Sequence, residues 1–259
     1  MGFRSKNALI SFIFIFLCLV FLSISRISGF VLYGTILFMM LVYYFMIYWL
    51  FNFDVYPQGF ISILLLPTLT LASYLLIYFN FIKELPIIYV VFFTLTFMVM
   101  QYYLVLTQNI LNLSTFTNVG LSQAALVSNS FYTILGFFLL NLSIFLIPNL
   151  HSPFKIVIGV IIFVIFYFIF VIINKIEFVQ FIFGVFFYGS VSIIYLVLFL
   201  IGYINPLNSL LIVISLAVIF RGLTVIALYS FRKVISVFDF IQIIFESALV
   251  AFLVYMSSI

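Results

Sequence analysis

Charged residues are almost absent from about nine long stretches of this chain, and this feature constrains the fold more than any other. Most stretches are close to the ~20 apolar residues that an α-helix needs to cross the ~30 Å hydrocarbon core of a bilayer. Such runs predict an all-α, polytopic integral membrane protein with about nine transmembrane helices. The predicted spans cover residues 8–24, 29–51, 59–82, 87–106, 120–147, 156–173, 178–201, 209–229 and 234–257.

The composition of the chain agrees with a membrane protein and excludes a soluble fold. Hydrophobic residues make up 68% of the 259 residues and charged residues 5%, with a mean hydropathy of +1.51. A soluble domain carries charges at roughly a quarter of its positions. We therefore predict a single transmembrane domain, residues 1–259, in the cell membrane, with the lipid bilayer as its partner. The net charge of +4 is spread thinly between the apolar runs, which excludes a nucleic-acid partner.

The positions of the basic residues predict the orientation of the chain. Loops rich in Lys and Arg face the cytoplasm. With a cytoplasmic N-terminus, five basic residues lie inside and three outside: Arg4, Lys6, Lys175, Arg232 and Lys233 against Arg26, Lys83 and Lys155. The first run also has the layout of a signal peptide, but residues 23–25 form a poor cleavage site, so we prefer an uncleaved helix.

The last two predicted spans place three charged residues in apolar sequence: Arg221, Asp239 and Glu246. Each helical residue turns by about 100°, so Asp239, Gln242 and Glu246 lie within an arc of roughly 60°. Antiparallel pairing of the two helices would place Arg221 level with Gln242, between the two carboxylates. A charge in lipid costs about 2.5–3.5 kcal/mol on the insertion scale, so we expect Arg221 to pair with Asp239 or Glu246.

A second candidate region is the uncharged polar stretch at residues 107–133. Its amides and hydroxyls, among them Gln123 and Asn129, are suited to line a path for a solute. The alternative is a short interfacial helix followed by a helix whose polar groups bond to a neighbouring helix.

The third predicted span contains a proline, Pro67. A proline inside a helix lacks the N–H that would bond the carbonyl four residues earlier, here that of Ile63. We therefore expect a kink at Pro67, with nearby threonine hydroxyls able to bond the freed carbonyl.

The residue types on which most enzymes depend are scarce. One histidine and one cysteine exclude the usual zinc sites, so neither a metal nor another cofactor is expected. The chain has no G-x-S-x-G elbow and no phosphate-binding GK[ST] loop. No two acidic residues lie within four positions of each other, which disfavours a Mg²⁺ site for diphosphate chemistry. No catalytic residue is predicted, and the sequence favours a protein that is not an enzyme.

Three functions stay open. The first is a permease-like protein that moves a small solute or proton along a polar path at helices eight and nine. The residues assigned to that path are Arg221, Asp239, Gln242, Glu246, Asn129 and Gln123. The second is a non-catalytic structural or assembly subunit of a membrane complex, with a membrane-protein partner or a second copy of this chain. A lipid-modifying enzyme is the third, and the sequence supports it least.

Overall fold

The computed structural model describes residues 2–24, 30–53, 55, 63–117, 123–147, 152–174, 182–186, 188–189, 209–232 and 245. All regular secondary structure in these residues is helical, which confirms the all-α class. Six helices there are long and apolar enough to cross a membrane: Phe3–Ile24, Val31–Leu50, Leu65–Glu84, Ile87–Leu113, Ser128–Phe145 and Phe154–Ile172. The chain is a helical, membrane-embedded protein, whereas nine spans and a cytoplasmic N-terminus stay predictions.

The helices are numbered in chain order by their observed bounds. α1 covers Phe3–Ile24 and contains a π-helical segment, Leu9–Phe14. The next helices are α2 (Phe30–Leu50), α3 (Leu65–Asn80), α4 (Ile87–Thr117), α5 (Gln123–Phe145), α6 (Ser152–Asn174) and α7 (Ser209–Arg232). A 3-10 turn, Ile82–Glu84, precedes α4, and residues 182–186 and 188–189 are also helical.

The chain divides into two compact units, and the first comprises residues 1–132. In this unit α3 packs against α1, α2 and α4. Twelve of the 16 residues of α3 are buried, so α3 is the central helix of the unit. The surrounding helices expose large apolar side chains such as Phe38 and Phe92, as expected for surfaces that face lipid.

The start of α3 differs from the prediction for Pro67. The helix begins at Leu65, so Pro67 lies in its first turn, where a missing N–H breaks no intrahelical bond. Ile63 and Leu64 form a turn before the helix, and both side chains are fully buried. The expected kink in a continuous helix is therefore not found in residues 63–80, and residues 56–62 lie outside the described part of the chain.

α4 is longer than the predicted fourth span. It continues to Thr117, through the first part of the polar stretch. At about 1.5 Å per residue its 31 residues extend about 46 Å, more than the ~30 Å of a hydrocarbon core. Polar residues such as Gln108 are therefore carried on the same helix as the apolar residues before them.

The second unit comprises residues 133–259, and its described part is packed around aromatic side chains. Phe137 of α5 stacks on Phe220 of α7 with ring centroids 4.3 Å apart, and Phe163 of α6 stacks on Tyr188 at 3.7 Å. All four side chains are fully buried. Such stacking contributes about 0.5–1.5 kcal/mol per pair beyond area burial, and here it joins three helices and the segment near residue 188.

Candidate functional site

Five uncharged polar side chains are buried together in the first unit, and we call them the core polar cluster. They come from α1, α2, α3 and α4, and each is at most 1% exposed. The members are Asn7, Ser11, Tyr43, Thr70 and Gln101. In a membrane interior such groups have no water to bond, so they must find partners on the protein or on a bound molecule.

Gln101 joins α4 to the start of α3. Its Nε2 donates to the Pro67 carbonyl at 2.6 Å, and its Oε1 accepts from the Thr70 hydroxyl at 3.0 Å. The Thr70 hydroxyl also lies 2.8 Å from the Pro67 carbonyl, so its proton is shared between two acceptors. The Pro67 carbonyl thus accepts from two side chains, which fixes the first turn of α3 against α4.

Asn7 and Ser11 belong to α1: Asn7 lies two residues before the π-helical segment, and Ser11 lies within it. Asn7 Nδ2 donates to the Tyr102 carbonyl of α4 at 3.0 Å, and the Ser11 hydroxyl donates to Asn7 Oδ1 at 3.1 Å. A π-helical turn holds one residue more than an α-helical turn, and such turns occur frequently at functional sites. The segment sets the direction of Asn7 relative to the rest of α1.

Tyr43 of α2 completes the cluster. Its side chain is fully buried, and its ring stacks on Phe14 with centroids 5.7 Å apart. Its hydroxyl has the side chains of Gln101 and Ser11 as polar neighbours. Within the described part of the chain that hydroxyl makes no hydrogen bond of acceptable geometry. A buried hydroxyl without a partner costs about 1–3 kcal/mol, so Tyr43 is the member of the cluster that could bond a guest molecule.

The chemistry of the core polar cluster is hydrogen bonding between neutral groups. It contains amides and hydroxyls and no carboxylate, amine, imidazole or thiol. Among the described residues no group of three or more His, Cys, Asp or Glu side chains could hold a metal ion. The cluster is therefore suited to an uncharged guest with donor and acceptor groups.

Asn129, one of the predicted path residues, bonds to α4. Its Oδ1 accepts from Gln108 Nε2 at 2.7 Å, and both side chains are fully buried. This contact is a polar bond between helices, as the alternative for the polar stretch predicted, although residues 107–117 continue α4 instead of forming a separate helix. Gln123 is the first residue of α5, and the structure describes its backbone but not its side chain.

Of the polar residues predicted to meet in the last two spans, the structure describes only Arg221. Arg221 is half-buried and lies near the middle of α7, which runs without a break from Ser209 to Arg232. Its carbonyl accepts from the Thr224 hydroxyl at 2.7 Å. Asp239, Gln242 and Glu246 lie outside the described residues, so the pairing of Arg221 with either acid stays a prediction.

Most of the core polar cluster was missed by sequence reasoning. Gln101 is a single amide inside a run predicted to span the membrane, and that isolation is a signal for a buried polar contact. Asn7 was assigned to the N-terminal flank because it follows Arg4 and Lys6. Tyr43 carried no signal, since the chain has 17 tyrosines and most are suited to interfaces.

Comparison of the chain with family models, curated proteins and solved structures gave no match.

Proposed function

We propose that the chain is a permease-like protein of the cell membrane that moves a small, uncharged, hydrogen-bonding solute through the core polar cluster. The observation that carries this proposal is the Tyr43 hydroxyl, which is fully buried in a membrane-embedded unit and makes no hydrogen bond within the described residues. A solute hydroxyl or amide placed between Tyr43, Ser11 and Gln101 would supply the missing partner. Neutral lining groups favour a neutral solute, because an ion would enter without a counter-charge.

The start of α3 supports the same proposal. Ile63, Leu64 and Leu66 are fully buried, so α3 begins inside the unit. The first turn of a helix has backbone groups without intrahelical partners, and Leu64 gives no side-chain cap. Transporters use helix ends that lie inside the membrane to bind substrates. At this helix end, Gln101 and Thr70 already contact the Pro67 carbonyl, so the guest and the helix start would share one site.

The charged residues of the last two predicted spans form a separate part of the proposal. Arg221 with Asp239 and Glu246 would leave one net negative charge, and one carboxyl could hold a proton at rest. Release of that proton would couple solute movement to a proton gradient, with Gln242 as a further hydrogen-bonding group. Asn129 and Gln123 stay assigned to the solute path.

The experiment uses purified full-length protein in liposomes, with glycerol as the probe and light scattering after an osmotic step as the measurement. Tyr43→Phe should lower glycerol permeability by roughly 2- to 12-fold, the effect of one hydrogen bond of 0.5–1.5 kcal/mol. The same variant should unfold at an equal or higher temperature, because it removes a buried hydroxyl without a partner. A change in flux without a loss of stability identifies a solute contact.

Tyr33→Phe is the matched control, because Tyr33 lies on the same helix and is 38% exposed. It should leave glycerol permeability unchanged. Glycerol flux equal to that of empty liposomes, or equal flux for Tyr43→Phe and the unaltered chain, would count against the proposal.

A non-catalytic membrane subunit is the second candidate, and one observation favours it. Both Asn7 and Gln101 already donate to backbone carbonyls across helices, at 3.0 and 2.6 Å, which is how polar groups hold helices together. Under this function the chain would be recovered from its native membrane in a complex of fixed composition, and Tyr43→Phe would change no flux. Recovery as a single chain, together with glycerol transport, would exclude it.

A further inference from the structure

A cleft of about 630 Å³ lies between α1 and α4, apart from the core polar cluster. Its floor includes Tyr78 of α3, and all of its described lining residues are uncharged. Its lining includes Phe12, Phe16 and Ser23 of α1 and Val91 and Met98 of α4. The volume lies in the range of about 300–1,000 Å³ that is typical of small-molecule sites.

The dimensions of the cleft fit one lipid chain. Along α1 it extends from Phe12 to Ile24, which at about 1.5 Å per residue is about 18 Å. Half of a ~30 Å hydrocarbon core is about 15 Å, the depth that one leaflet occupies. Phe16 and Val91 are 57% and 48% exposed, so the cleft opens on the surface that faces lipid. A chain from one leaflet could therefore enter it sideways.

The polar end of the cleft has a defined hydrogen-bond direction. The Ser23 hydroxyl donates to the Leu19 carbonyl at 2.8 Å, and its oxygen lies 2.7 Å from the Tyr78 hydroxyl. Because the Ser23 proton is directed at the Leu19 carbonyl, we assign the donor of the contact between the two hydroxyls to Tyr78. Both protons are then committed, and the Tyr78 oxygen still has an acceptor lone pair at the cleft. This end of the cleft therefore favours a ligand with a hydrogen-bond donor.

The described residues that line the same end carry no charge. Ser23 is next to Ile24, the last described residue of α1, and Ile87 of the cleft begins α4. In the turn before α4, Lys83 and Glu84 are adjacent and opposite in charge, and Lys83 Nζ lies over the Phe79 ring, 3.5 Å from its centroid. Among the described residues, which do not include Arg26, a headgroup at this level would meet no uncompensated charge, and this agrees with a neutral lipid.

We infer that the cleft between α1 and α4 binds one acyl chain of diacylglycerol, with the free glycerol hydroxyl donating to the Tyr78 oxygen. The apolar chain would lie along Phe12 to Ile24, and the hydroxyl would complete the chain of bonds from Tyr78 through Ser23 to the Leu19 carbonyl. This inference does not depend on solute movement through the core polar cluster.

The test uses the full chain in liposomes that contain a diacylglycerol with a photoactivatable acyl chain. A phosphatidylcholine with the same photoactivatable chain is the comparison lipid, because its glycerol has no free hydroxyl. Labelling of peptides from α1 and α4 should be greater with diacylglycerol by roughly 2- to 12-fold, the range that one hydrogen bond supplies. Equal labelling by the two lipids would overturn the inference.

Two variants test separately the binding of the acyl chain in the cleft and the hydrogen bond to Tyr78. Val91→Trp should fill the cleft and remove most labelling, whereas Phe92→Trp, at an exposed neighbour outside the lining, should leave labelling unchanged. Tyr78→Phe should keep the labelling by phosphatidylcholine and lose the preference for diacylglycerol. Unfolding temperatures of all three variants establish that the fold is retained. Unchanged labelling in Val91→Trp, or an unchanged preference in Tyr78→Phe, would contradict the site.

Discussion

At the scale of single residues, glycines allow two close approaches in the second unit. A Cβ added at Gly184 would lie 2.6 Å from Tyr167 Cζ and 2.7 Å from its hydroxyl oxygen. At Gly159 an added Cβ would lie 3.0 Å from Asn141 Oδ1. Tyr167 and Asn141 are both buried, so neither has free space in which to move. These glycines set how closely the helices of this unit pack.

Gly184→Ala should destabilise the protein by about 1–3 kcal/mol, the usual cost of forcing extra volume into a packed core. Thermal unfolding of the purified protein in detergent is the measurement. Gly34→Ala is the control, since an added Cβ there meets no atom within 4 Å and α2 should gain or keep stability. Equal unfolding temperatures for the two variants would show that Tyr167 does not pack against Gly184.

At the scale of the helix, the π-helical segment Leu9–Phe14 is the irregular part of α1. Its extra residue rotates the side-chain faces of Phe3–Ala8 about the helix axis by about 100° relative to those of Ile15–Ile24, one residue of helical rotation. The hydrogen bond from Asn7 to the Tyr102 carbonyl depends on that rotation. The segment therefore connects two α-helical parts that face different neighbours.

Deletion of Ile13 should restore a regular α-helix and turn Asn7 away from Tyr102. An amide turned toward lipid costs several kcal/mol, so the unfolding temperature should fall well below that of the unaltered chain. Ile13 is 52% exposed, so Ile13→Ala removes its side chain at constant helix length and serves as the control, with a small effect expected. If the deletion and the substitution gave the same stability, the π-helical segment would have no role in placing Asn7.

At the scale of the whole molecule, the sequence predicted the class and the approximate position of most described helices. Long apolar runs determine where helices lie in lipid, because backbone groups there must bond within the helix. The start of α3 at Leu65 and the extension of α4 to Thr117 were not predicted. Hydropathy alone does not distinguish a proline within a helix from one in its first turn.

The hydrogen-bond partners of the buried polar groups could not be predicted from the sequence either. Gln101 and Thr70 are 31 residues apart, and Asn7 and the Tyr102 carbonyl are 95 apart. Hydrogen bonds at such separations depend on which helices are neighbours, and no local pattern encodes that. The polar stretch predicted bonding to a neighbouring helix, but it did not identify Gln108 as the partner of Asn129.

Nine spans predict opposite locations for the two ends of the chain. A reporter that is active only in the cytoplasm should give signal when fused after Thr117, because four spans return the chain to the side of its N-terminus. Fused after Ile259 it should be silent, and a reporter active only outside should give the complementary result. Cytoplasmic signal from the fusion after Ile259 would mean an even number of spans.

The central position of α3 has a consequence for synthesis in the cell. The chain is made from its N-terminus, and Gln101 emerges about 1–4 s after Asn80 at about 5–20 residues per second. During that interval the hydroxyls of α3 would face the translocon or lipid without α4. Thr68, Thr70 and Ser73 each bond a carbonyl of α3 itself or of the residue just before it, Leu64. These local bonds would satisfy the hydroxyl donors of the new helix until α4 is inserted and Gln101 makes its contacts.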